Sequence, residues 1–347
     1  MKIKILLISL FSFCHTLFAQ EGLPLYQDYL TSSWYLIHPS MAGAASANQV
    51  RLTARNQWLD VEDAPTLFTA SVNGRVSKKV GLGLVAFSDT NGNFSESAFY
   101  GTFAYHLNLS PRETQLKQIS FGISFGMLQN KIDETGFGQG AIAGDPVIFG
   151  GVLSDSYFNV DFGISYLVDE FFAHASLRNA LPISKDQFIT IDDNEPDNQR
   201  KIVFTTGYNF KLTDGDYGVS LEPSFQYLST PSLAEQLIDV NGKVYKQIGN
   251  KNTLWGGASY RRALGNESQF IENGVTLFTE YFETVSGFIG IDYSQLVFGY
   301  TYTQQVNQST IGNSGFHQIT LGYNFGSDSK SRSGSKRWDC NCPAANY

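Results

Sequence analysis

The chain has 347 residues, of which 42% are hydrophobic, 14% aromatic and 16% charged, whereas an ordinary soluble globular chain carries about 25% charged residues. Glycine (33), Phe (27) and Tyr (18) are plentiful while Met (3), Pro (10) and Cys (3) are scarce, a mix that favours pleated, closely packed strands over helices. The net charge of -8 excludes an extended nucleic-acid footprint on the folded body.

Residues 1–19 have the pattern of a secretory signal peptide: Lys2 and Lys4 form a basic start, Ile5 to Phe13 an apolar stretch, and Ala19 is the small residue before Gln20. Cys14 falls inside that peptide, because Phe11, Ser12 and Phe13 ahead of it lack the small residue that precedes a lipidated cysteine. Export is therefore expected. No later run of about 20 apolar residues suggests a helical span, so the chain is periplasmic, secreted or an outer-membrane barrel. Residues 20–48, with PLYQDYLTSSWYLIHPSMAGAA starting at Pro24, are aromatic and polar without a period. They are read as a separate N-terminal segment lying in a lumen or along the periplasmic mouth.

Residues 49–325 carry a repeating pattern. Ile119, Phe121, Ile123, Phe125 and Met127 alternate with Ser120, Gly122, Ser124 and Gly126. Phe158, Val160, Phe162, Ile164 and Tyr166 likewise oppose Asn159, Asp161, Gly163 and Ser165, and Ile319, Leu321, Tyr323 and Phe325 oppose Thr320, Gly322 and Asn324. One face is bulky and apolar and the other small or polar, as lipid and a lumen require. A soluble sandwich would expose Lys, Glu and Thr rather than runs of Gly and Ser. The expected fold is an all-β, antiparallel transmembrane outer-membrane β-barrel of about 14 strands. The strands are placed from near Val50, Thr66, Val80, Glu96, Ile119, Tyr157, Phe171, Ile202, Tyr217, Thr253, Val275, Val285, Gln295 and Phe316. Asp133 to Ser156, Pro182 to Arg200 and Thr230 to Asn250 read as long connections, and Asn108 to Thr114, Asp169 to Glu170 and Thr213 to Asp216 as short ones. By alternation Asp161, Arg178, Glu222 and Glu280 face the lumen, where they would either select solutes or hold a plug such as Pro24 to Gly43. Residues 326–347 form a basic tail with Lys336, Arg337, Cys340 and Cys342, read either as a solvated end or as a periplasmic handle for another protein.

The order of several short segments resembles the PorP/SprF family of the Bacteroidetes type IX secretion system. These are Pro24, Tyr26 and Tyr29, then His38-Pro39 and Ala42-Gly43, then Arg55, Gln57 and Trp58 with Pro65 opening the partner strand. Gly81 to Gly83, Ser120 to Gly126, Gly207 to Leu212, Glu222 to Phe225 and His317 to Phe325 continue it over most of the chain. The family more often has Asn at the position of His38. The resemblance implies an outer-membrane barrel that docks on the periplasmic ring of the secretion machinery, or that serves the export of a surface adhesin in gliding bacteria. Pro39, Gly43, Arg55, Gln57 and Trp58 become the family-motif candidates, and Lys336, Arg337, Cys340 and Cys342 the tail candidates. The implied partners are other type IX secretion proteins, a secreted adhesin and outer-membrane lipid.

No catalytic, metal or cofactor site is expected. Gly122-Ile-Ser124-Phe-Gly126 matches the G-x-S-x-G of a hydrolase elbow, which needs a strand, a sharp turn and a helix; here it lies in one alternating strand. Gly136, Gly138, Gly140 and Gly144 have no Lys-Ser/Thr after them and read as a surface loop. His38, His106, His174 and His317 are scattered without ligand spacing. Asp192, Asp193, Glu195 and Asp197 lack the register of a calcium loop. A local Cys340–Cys342 bridge is geometrically poor, leaving an intermolecular bond or free thiols. Besides a secretion component, two functions stay open: a porin or channel for small solutes, and a secreted soluble β protein such as a carbohydrate binder.

Overall fold

In this computed structural model the described residues are 33–57, 64–110, 116–136, 150–181, 200–213, 217–231, 235–249, 252–264, 269–272, 275–278, 283–306 and 315–326. The strands are β1 (Asn48–Gln57), β2 (Thr66–Arg75), β3 (Val80–Asn91), β4 (Phe94–Asn108), β5 (Lys117–Asp133) and β6 (Val152–Val168). They continue with β7 (Phe171–Arg178), β8 (Lys201–Tyr208), β9 (Phe210–Thr213), β10 (Val219–Thr230), β11 (Glu235–Ile248) and β12 (Asn252–Ala263). The last are β13 (Gln269–Glu272), β14 (Val275–Phe278), β15 (Glu283–Tyr293), β16 (Leu296–Gln305) and β17 (Phe316–Phe325).

Successive strands pair antiparallel, and β1 meets β17 over its whole length, from Asn48 opposite Phe325 to Gln57 opposite Phe316. Because β10 also pairs with β11, the sheet closes on itself. With β8 and β9 as two pieces of one wall strand, the barrel has 14 strands. Closure gives the wall's backbone groups partners across the ladder, which lipid cannot supply.

The alternation sorts side chains as the sequence requires. Phe99, Phe125, Ile289 and Ile319 point outward and are about half exposed, forming an apolar wall for lipid. Ser120, Asp161, His174 and Thr205 point inward and are buried. Connections at one end cover 58–65, 92–93, 134–151, 179–200, 231–234, 264–282 and 306–315; at the other they cover 76–79, 109–116, 169–170, 214–218, 249–251 and 294–295. Outer-membrane barrels carry long loops outside and short turns toward the periplasm, which makes the second end, where β1 begins and β17 finishes, the periplasmic one.

Three sequence placements need correction. Thr230 to Asn250 is not a long connection but contains β11, whose Asn241-Gly242 pair imitates a hairpin turn while pairing in register with Ala258 and Ser259 of β12. The strand expected from Val275 is β14, which pairs with β13 in a separate two-stranded sheet outside the barrel. The two errors cancel, so the count of fourteen stands on a partly different set of strands. β6 starts at Val152, five residues before Tyr157, so the connection ahead of it is shorter than expected.

Candidate functional site: a lumen closed by its own N-terminal segment

Residues 33–47 enter the barrel instead of lying along its rim. Two short 3-10 turns, Trp34–Leu36 and Pro39–Met41, fold the segment, with Pro39 opening the second, where its fixed φ and missing N–H are no handicap. Ser33 to Ala45 are buried throughout. Trp34, Tyr35, Leu36, Met41 and Ala42 share one apolar cluster with Phe87, Tyr100, Leu128 and Phe172 of the wall, and Ile37 packs with Val203, Leu228 and Leu237 on the other side of the lumen. The segment therefore spans the lumen as a plug.

Small wall residues make room for it. A side chain at Gly122 would collide with the Pro39–Ser40 peptide, one at Gly81 with the Ala42 carbonyl and one at Gly83 with the Tyr35 hydroxyl. The same stripe that imitates a hydrolase elbow is thus a seat for the plug: Gly122, Ser124 and Gly126 sit in mid-strand β5, without the turn and helix an elbow needs. Gly43 has φ +70° and faces the Gly74 carbonyl, a backbone state and a close approach that only glycine meets without strain.

Polar contacts then fix the plug at several depths. Tyr35 donates to Thr102 Oγ1 at 2.9 Å; Ser40 Oγ and Ser165 Oγ are 2.6 Å apart; the Gly43 amide donates to Asn73 Oδ1 at 3.0 Å. Arg75 Nε donates to the Gly43 carbonyl at 2.9 Å, and His106 Nε2 lies 2.9 Å from the Ala42 carbonyl. Arg178 is the strongest fastener. Its Nη1 donates to the Leu36 carbonyl at 2.6 Å, its Nη2 pairs with Asp161 Oδ2 at 3.0 Å, and its guanidinium lies 5.8 Å from the Tyr100 ring centre. Asp161 also accepts the Asn179 amide at 2.8 Å.

His38 lies at the centre of the seat. Nδ1 is 2.7 Å from Ser176 Oγ and Nε2 is 2.9 Å from Thr205 Oγ1. Thr205 gives its own proton to Gln226 Oε1 at 3.1 Å, so it accepts from His38 Nε2–H, and Nδ1 is left to accept from Ser176. This assigns the neutral tautomer from the network. Burial holds the His38 imidazole well below its ordinary value of 6.5, and the neighbouring Arg178 cation adds to the effect. Burial likewise pushes the Tyr35 phenol upward. The network runs on from Gln226 Nε2 to Asp239 Oδ2 at 3.3 Å, and Asp239 binds Arg261 through both carboxylate oxygens. A line of partners thus crosses from the plug to the far wall.

On that far wall the inward side chains pack against one another. Lys243 Nζ lies 4.3 Å from the Trp255 ring and 4.9 Å from the Tyr245 ring. Trp255 Nε1 donates to Asp292 at 3.0 Å, and Tyr245 donates to Glu222 Oε1 at 3.3 Å.

Of the family-motif candidates, Pro39 and Gly43 belong to the plug. Arg55 and Gln57 are buried inside β1, with Arg55 5.2 Å from the Phe316 ring. Trp58, Glu280, the signal peptide, Pro24 to Tyr29, Gly138 to Gly144, the acidic stretch from Asp192 and the tail with Lys336, Arg337, Cys340 and Cys342 lie outside the described residues. The histidines that looked scattered meet in space: His38 and His174 have ring centres 4.9 Å apart, and His106 holds the plug's Ala42. Sequence reasoning missed Tyr35, Asn73, Arg75, Ser165, Ser176 and Thr205 as fasteners. Of these only Ser165 stood on the small face of the alternation, and nothing in that pattern marked what it would touch.

The fold and the apolar wall define an outer-membrane β-barrel whose lumen is closed by its own N-terminal segment. The chain belongs to the family described as type IX secretion system membrane protein PorP/SprF, whose sequence model matches residues 18–323. Among curated proteins none matches. Similar solved structures include the CymD monoaromatic hydrocarbon channel, at 11% identity, covering 89% of this chain and 95% of that one with a TM-score of 0.46. The Ralstonia pickettii toluene transporter TbuX is similar at 9% identity, covering 83% and 92%, with a TM-score of 0.47. Acinetobacter baumannii Omp33 is similar at 9% identity, covering 82% and 100%, with a TM-score of 0.41.

Proposed function

We propose that the protein is a non-enzymatic barrel component of the type IX secretion system that supports the secretion or surface display of proteins such as gliding adhesins by docking to the periplasmic machinery. The observation that carries this reading is family membership over residues 18–323, joined to a lumen filled by residues 33–47. A porin needs a continuous aqueous path, and Trp34 to Met41 stand across it, which counts against the solute-channel alternative. In the secretion reading the barrel is an anchor and adaptor. Its periplasmic turns and the basic tail with Lys336, Arg337, Cys340 and Cys342 are the parts available to a partner, and outer-membrane lipid covers the wall. The test is affinity purification of the tagged full chain after cross-linking in living cells. Periplasmic ring components of the secretion system are expected in the eluate, and their absence, with the barrel folded and inserted, would contradict the docking role.

A further inference from the structure

The lipid-facing side of β2 to β5 is interrupted by a groove. Gly101 of β4 stands opposite Leu84 of β3 and Phe125 of β5, and a side chain added there would meet nothing nearer than Leu84 Cδ2 at 4.0 Å. This gap belongs to a cavity of about 610 Å³ among Val72, Leu82, Leu84, Phe103, Phe125 and Phe325, within the range of about 300–1,000 Å³ usual for small-molecule sites. The cavity runs to the periplasmic end of the wall at Gly74, Arg75 and Val76, where the chain turns from β2 into β3. That turn is ordered. The Val76 amide donates to the Val80 carbonyl at 3.0 Å, the Ser77 hydroxyl accepts the Lys79 and Val80 amides at 3.4 and 3.2 Å, and the His106 amide donates to the Lys79 carbonyl at 2.7 Å. It presents Lys78 and Lys79, both exposed, and among the described residues neither pairs with a carboxylate.

The bilayer core supplies no water to fill a groove, and an empty one costs its lining the contacts it would make on that side. An acyl chain laid along it restores them. Because the groove ends at a periplasmic turn, such a chain belongs to the periplasmic leaflet and brings its headgroup to Lys78 and Lys79. Two exposed ammonium groups on long stems at that level favour a negatively charged headgroup. We propose that the groove over β2 to β5 is a site for an anionic phospholipid of the periplasmic leaflet, with its acyl chain between Leu84 and Phe125 and its phosphate on the Lys78–Lys79 turn. The same strands seat the base of the plug from inside, through Gly81 against the Ala42 carbonyl and Arg75 on the Gly43 carbonyl, so the lipid lies on the outer side of the wall that holds the plug.

The test places the full-length chain in phosphatidylethanolamine vesicles containing a small share of phosphatidylglycerol with a photo-reactive group on its acyl chain. Labelling of the peptides that carry Leu84, Phe103 and Phe125 should exceed labelling at Leu296 and Phe298, which are lipid-facing on β16, by at least fivefold. K78Q/K79Q, and separately Gly101→Leu, which fills the open space without touching the lysines, should each bring it down to the β16 level, folding being checked by heat-modifiable mobility. Photo-reactive phosphatidylethanolamine should show no enrichment, and added inorganic phosphate should not displace the lipid. Even labelling around the parent barrel, meaning ordinary boundary lipid only, would overturn the proposal. So would enrichment that survives in both folded variants, equal enrichment with phosphatidylethanolamine, or displacement by phosphate alone.

Discussion

Replacing Arg178 by Ala should unseat the plug, and the structure separates the cost into two parts. Arg178 and Asp161 are both buried, and breaking such a pair from one side costs about 3–5 kcal/mol. That part falls on the barrel, since Asp161 stays behind without its cation, holding the Asn179 amide. The part that falls on the plug is the charged hydrogen bond to the Leu36 carbonyl, 2.6 Å long, worth about 1.5–3 kcal/mol. The ratio of open to closed lumen should therefore rise roughly 10- to 150-fold. Single-channel recording in planar bilayers reads that ratio directly, the parent being closed for nearly all of the record and R178A opening more often by that factor. D161N/R178Q removes the stranded charge while still losing the cationic fastener, so it should open as R178A does yet be the more stable barrel. Bilayers of folded R178A as quiet as the parent would refute the assignment of Arg178 as the fastener.

Gly122→Val inserts side-chain atoms where the Pro39–Ser40 peptide sits; overpacking of about 1–3 kcal/mol should make a cysteine at Ser40 react with a water-soluble maleimide, and protection equal to the parent's would count against the seat. Seating should also depend on pH. His38 is held neutral, below its ordinary 6.5, by burial first and then by the Arg178 cation beside it. The detached segment therefore binds the extra proton, and the attachment is complete above pH 6.5 and weakens as pH falls below it, by up to about 1.4 kcal/mol per unit. Cysteine labelling at Ser40 should rise between pH 7.5 and 5, and His38→Asn should flatten the rise; labelling independent of pH in the parent would speak against the buried neutral ring. Truncation after Phe325 should leave the barrel inserted but weaken secretion, and a full secretome from the truncated chain would exclude the tail from docking.

Most of the wall was legible in the sequence because a two-residue period with Phe and Ile on one face and Ser and Gly on the other is a statement about two solvents. It failed where one local signal imitated another. Asn241-Gly242 has turn chemistry but lies in mid-strand, where the neighbours in β12 decide the conformation. β14 has strand chemistry but sits in the connection between β12 and β15. The N-terminal segment was legible as something apart, since it lacked a period, and a plug was one of two places open to it. Its fasteners were not, because Tyr35 to Thr102 and His38 to Thr205 join positions far apart in the chain, and one sequence records no such pairing. Gly122 and Ser165 read correctly as standing on the small, lumenal face but incompletely, since the space they leave is occupied by the chain itself.

The central claim is that this plugged barrel serves protein secretion and not solute passage, and deletion of its gene tests it most directly, with the secreted and surface proteomes and the uptake of small solutes measured side by side. The account predicts loss of secreted protein with uptake unchanged: many unrelated cargoes if the barrel is a core subunit, one large adhesin if it is a dedicated partner. An unchanged secretome with altered solute uptake would contradict it and leave a porin.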